Sequence, residues 1–153
     1  MFRRNKSNCQ KKKVKNKIVP DCPYEERDEL APYCKEAGVD LIPLIALTSE
    51  DRITKIAKTA EGFVYVVSSL GVTGIRQNIT TDLGAMTKLV KEATDVPCAI
   101  GFGIAKPEQA KNVCQYADGA IVGSAIVKIV AKYGKDSVPY VGEYVKEMKS
   151  AII

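Results

Sequence analysis

The sequence predicts an α/β fold of about five parallel βα units, and three observations carry that prediction. Short β-branched runs alternate with stretches of helical period from about residue 14 onward. The alternation repeats at a spacing suited to βαβ units, which place parallel strands in one sheet with helices outside it. The longer strands, as in LIPLIA and FVYVV, lack strict apolar–polar alternation, a pattern that fits burial on both faces. A closed (β/α)8 barrel typically takes about 250 residues. The 153 residues therefore leave two arrangements open, a doubly wound open sheet or five consecutive staves of a barrel.

The candidate strands are, in order, VKNKIVPD, DLIPLIA, GFVYVVSS, PCAIGF and GAIVGS. Between them one apolar stripe recurs at i, i+3, i+4, i+7: Leu30, Tyr33, Cys34 and Ala37, then Ile53, Ile56, Ala57 and Ala60, then Ala110, Val113, Cys114 and Ala117. Each is the buried face of an amphipathic helix. The stretch from Leu83 to Ala93 reads the same way through Met86, Leu89 and Val90. Thr48 or Ser49 suits the cap of the second helix and Thr81 that of the third, while Pro107 suits a first helical turn. Pro32 lies inside the first helix, where it removes a backbone donor and is expected to kink or delay it.

The formal charge of +5 is unevenly spread. Residues 1–17 hold eight basic side chains and no carboxylate, and the rest of the chain carries 15 basic against 18 acidic side chains, a net −3. Two domains are expected, a basic disordered arm over 1–17 and a partial (β/α) barrel domain over 18–153. The arm has the charge to attract an anionic surface, but no aromatic residues interleave its lysines to stack on bases, so nucleic acid is not an expected partner. Five cysteines without C-x-x-C spacing and the absence of histidine point to no metal site and to a reduced, cytoplasmic protein. The apolar run from Gly119 to Ala131 is broken by Lys128 and is too short for a bilayer, so no membrane association is expected.

Three successive strands run into small residues: Gly71 and Gly74 after the third, Gly101 and Gly103 at the fourth, and Gly123 and Ser124 after the fifth. Parallel-sheet proteins place ligands at that end of the strands. Ser124 opens the apolar helical segment AIVKIV, whose free N–H groups and positive dipole end suit an anion, phosphate above all.

In order and spacing, PDCPYEERDEL, DLIPLIALTSEDRI, FVYVVSSLGVTG, GFGIAKPEQ and DGAIVGSAIVKIV resemble the carboxyl-terminal part of the tryptophan synthase alpha chain, over residues 18 to 152. The resemblance implies strands four to eight of a TIM (β/α)8 barrel. It also implies the family reaction, aldol cleavage of indole-3-glycerol phosphate to indole and glyceraldehyde 3-phosphate. No cofactor is implied for this chain, pyridoxal phosphate belonging to a beta chain that is the implied partner. The family's phosphate contacts fall on Gly74, Gly103, Gly123 and Ser124. Its substrate pocket and loop positions fall on Tyr65, Phe102, Ile45, Thr73 and Asp21, the last at the end of strand four.

No catalytic residue is expected in this chain. The family takes two carboxylates from its second strand and the loop after it, one to move the indole proton and one to hold the indole nitrogen. The family's Ala-Pro-Thr-Ser turn reads Ala46-Leu47-Thr48-Ser49, and Ser69 stands where the family often has arginine. The expectation is a lyase subunit inactive as an isolated chain, with self-association through unpaired sheet edges. The alternative is a non-catalytic phosphate-binding fragment, or an interaction protein using the basic arm.

Overall fold

A computed structural model describes residues 15–46, 49–68, 79–101 and 103–153. Among the described residues the strands are β1 (Asn16–Ile18), β2 (Asp40–Ile42), β3 (Leu44–Ile45), β4 (Val64–Val67), β5 (Cys98–Gly101) and β6 (Gly119–Ile121). The helices are α1 (Arg27–Glu36), α2 (Glu50–Lys58), α3 (Ile79–Ala93), α4 (Pro107–Val113), α5 (Ser124–Tyr133) and α6 (Ser137–Ser150). All strand pairs are parallel and in chain order, β1 with β2 and then β3-β4-β5-β6. The fold is thus α/β, with five parallel staves.

The predicted strand DLIPLIA is split at Pro43, which has no N–H to give to a ladder. Its carbonyl still accepts from the Tyr65 amide at 3.0 Å, so the chain passes from pairing with β1 to pairing with β4 across that residue. β1 begins at Asn16, so Lys17, assigned to the basic arm on sequence grounds, pairs with Leu41 inside the sheet.

The two sheet faces have different cover. Ile45, Val64, Val66, Cys98 and Ile100 pack against Ile53, Ile56 and Ala57 of α2, Leu83, Met86 and Val90 of α3, and Ala110 and Val113 of α4. Full burial of each such isoleucine contributes roughly 1.5–3 kcal/mol. The alternate strand positions form a smaller cluster on the opposite face, where Ile42, Phe63 and Ala99 are packed by Tyr65 and Ile121.

Two predicted elements differ in detail. α3 already runs from Ile79, so Thr81 lies within the helix, beyond the cap position. α1 accommodates Pro32 in its sixth position, and its stripe is only partly covered, with Tyr33 70% exposed. α1 packs against β2, whose partner β1 has one neighbour strand among the described residues, so less surface is available to bury its apolar face. Its start is tied to α2 instead: Arg27 donates to the Thr59 carbonyl at 3.1 Å, and Arg52 makes two hydrogen bonds to the Glu25 carboxylate. Among the described residues, no helix is long and apolar enough to cross a membrane.

Candidate functional site

Parallel pairing puts every strand's carboxyl end on the same side of the sheet. Gly101 of β5 pairs with Ile121 of β6, so Gly103 and Gly123, each two residues further on, leave the sheet at the same level. Gly103 has φ of +76°, a conformation that an L side chain rarely adopts. The turn it opens is braced from two helices. The Gln109 side-chain oxygen accepts from the amides of Ala105 and Lys106, both at 2.9 Å, and the Tyr144 hydroxyl donates to the Ala105 carbonyl at 2.8 Å.

On the neighbouring strand, Gly123 precedes α5, and Ser124 is its first residue. Among the described residues no side chain caps this helix end, and no acid stands in its first turn. Space around Gly123 is open: among the described residues, no atom beyond its chain neighbours comes within 4 Å of where a Cβ would stand. Free helix-start amides facing open space are donors that suit an anion.

Tyr65 of β4 lies half-buried on the face away from the helices, and burial pushes its phenol above the ordinary tyrosine range. Its ring crosses Gly101 so closely that a Cβ there would overlap the hydroxyl. Gly101 therefore makes room for the aromatic ring, a local reason for glycine separate from any ligand.

Ile45, expected as a pocket position, is fully buried in the helix-facing core. The side chain that shares Tyr65's face at this stave is Leu44, its register partner. Leu44 lines a cleft of about 320 Å³ together with Val19, Pro20, Ile42 and Val67. Leu44 and Val67 were missed on sequence grounds, although strand parity with Tyr65 is the signal that would have found them. Asp21 is exposed in the turn just beyond β1. The cleft lies over the β1–β4 side and is not lined by Tyr65, Gly103, Gly123 or Ser124. Arg27, Arg52 and Ile56 line it as well, so the cleft reaches α1 and α2 and shares no lining residue with the glycine turns. Gly74, Thr73 and Phe102, expected as phosphate, loop and pocket residues, lie outside the described residues, as do Gly71, Leu47, Thr48 and Ser69. Among the described residues there is no group of three or more His, Cys, Asp or Glu able to hold a metal.

A family model described as "Tryptophan synthase alpha chain" matches residues 3–152. The tryptophan synthase alpha chain of Lacticaseibacillus casei is 46% identical over 144 residues, covering 94% of this chain and 54% of that protein. The alpha chain of Methanocaldococcus jannaschii is 49% identical over 126 residues, covering 82% of this chain and 45% of that one. A solved structure from Aquifex aeolicus matches 91% of this chain and 52% of its own, with a TM-score of 0.75 at 32% identity. One from Pyrococcus furiosus, titled for mutual activation of the tryptophan synthase α2β2 complex, matches 90% of this chain and 56% of its own, with a TM-score of 0.74 at 30% identity. The chain spans about half the length of the relatives it matches, and the five parallel staves are a partial barrel.

Proposed function

Since the chain belongs to the tryptophan synthase alpha chain family, we propose that its strand-end turns form the phosphate-holding side of an indole-3-glycerol phosphate site. The observation that carries this reading is the common level of Gly103 and the Gly123–Ser124 helix start beyond paired Gly101 and Ile121. Backbone amides there donate to phosphate oxygens, with Gly74 as a further donor by family position. Tyr65 and Leu44 supply apolar wall for the indole, and Asp21 stands in the turn beyond the carboxyl end of β1.

The reaction proposed by family is aldol cleavage of indole-3-glycerol phosphate to indole and glyceraldehyde 3-phosphate. The partner is a beta chain, which carries pyridoxal phosphate, and this chain needs no cofactor of its own. These 153 residues supply binding and position. The family's two acid–base carboxylates have no counterpart among them, and removing one such group typically costs ~10²–10⁴ in rate. The test is indole release from indole-3-glycerol phosphate by the purified chain, with and without a beta chain. The expected result is none above background in either case. Robust release abolished by Asp21→Asn would assign Asp21 as the base and overturn this division of roles.

A further inference from the structure

Side chains from two different helices take up both polar groups of the Ala105 backbone. Gln109 of α4 accepts its N–H at 2.9 Å and that of Lys106 at 2.9 Å, and Tyr144 of α6 donates to its carbonyl at 2.8 Å. The turn they grip begins at Gly103, whose positive φ is reached through the backbone freedom that makes glycine costly to order. Without external contacts, such a turn samples many conformers, and an anion binding there would have to order it.

We propose that Gln109 and Tyr144 are positioning residues for the anion cup, holding the Gly103–Lys106 turn in its binding conformation before phosphate arrives. The proposal rests on the phosphate reading and extends it to residues that touch no ligand. Two consequences follow from the hydrogen bonds. The amides of Ala105 and Lys106 are already occupied, so the turn's contribution to an anion comes from the Gly103 end. The brace also joins α6 to the site, because Tyr144 packs against the helix-side core while its hydroxyl reaches the turn. Preorganisation of this kind raises affinity by removing an ordering cost.

The experiment titrates glycerol 3-phosphate, and separately inorganic phosphate, into the isotopically labelled 153-residue chain while its amide signals are followed. Wild type, Gln109→Ala and Tyr144→Phe are compared, with Tyr140→Phe as a control whose ring stacks on Tyr133 and which lies on the same helix as Tyr144. Loss of one net hydrogen bond predicts binding about 3–10-fold weaker in Tyr144→Phe, and loss of the two that Gln109 accepts predicts at least as much in Gln109→Ala, with unchanged β5 and β6 signals and no change in Tyr140→Phe. Gln109→Ala should also speed hydrogen exchange at Ala105 and Lys106, and Gln109→Glu, which keeps an acceptor oxygen, should restore protection. Wild-type affinity in both variants overturns the positioning role and leaves the phosphate reading standing. Equal weakening by Tyr140→Phe overturns it as well, since the effect would then belong to α6 as a whole. No shifts in wild type at tens of millimolar overturn both readings together.

Discussion

Gly101 and Tyr65 share one space, and the glycine's lack of a side chain is what lets the ring lie across the strand. Gly101→Ala is therefore expected to swing the ring aside and lower stability by about 1–3 kcal/mol, the usual cost of overpacking. Adding Tyr65→Ala removes the overlap, so urea unfolding of the double variant should show less loss than the two single losses combined. Asp118 gives a residue-scale prediction of another kind. Burial pushes its carboxyl up, but the hydrogen bond from the Cys98 amide and the Lys91 ammonium at 3.2 Å outweigh that and leave it below the usual range. A carboxyl depressed in the folded state contributes stability above its unfolded pKa, and that contribution is lost as pH falls through the folded one. The stability difference between wild type and Asp118→Asn should accordingly shrink below the ordinary carboxylate range, read as unfolding midpoints over pH. The all-apolar run FVYVV hid Tyr65's face in the sequence, and Tyr65 entered by family position alone. Ile45 entered by family position too, and it lies fully buried in the helix-facing core.

Helical period located the stripes of α2, α3 and α4, whose apolar positions are buried as a face. The same period in α1 marked residues that stay half-exposed, because period reports an apolar stripe and says nothing of whether a neighbour exists to cover it. α1 has no fully buried residue, and Pro32 leaves the Asp28 carbonyl without its helical donor. Pro32→Ala restores that donor and removes a penalty of ~3 kcal/mol in a helix interior. The gain should appear as at least tenfold slower hydrogen exchange within α1. Exchange in α3 should be unmoved, since local opening of α1 does not require opening of the core. The Gln109 contacts are local, the capping box of α4 reaching back three and four residues, and that spacing stands in the sequence. The Tyr144 contact was not legible at this scale, because it joins residues 39 positions apart whose nearness depends on how α6 settles against α4.

At the scale of the whole molecule, the count of five staves and their parallel sense were legible, since each βαβ unit is written in a local stretch of sequence. The choice between an open doubly wound sheet and a partial barrel was not. That choice depends on sheet curvature, and it came from the family resemblance. Among the described residues, β1 pairs only with β2 and β6 only with β5, leaving two parallel edges with no neighbouring strand. Such edges pair readily between chains. α5, next to β6, adds the exposed side chains Val127 and Val130. The purified 153-residue chain is expected to associate with rising concentration in sedimentation. A single monomeric species throughout would show that these edges are protected. The strand order has a further consequence, in time. Among the described residues every pairing joins residues only 20 to 34 positions apart, from Ala99 with Gly119 to Val64 with Cys98, and none joins the first stave to the last. Loop closures of that size are fast and nearly independent. The chain can assemble stave upon stave from any interior pair, and it can lose them singly from either end, as a row of repeats does.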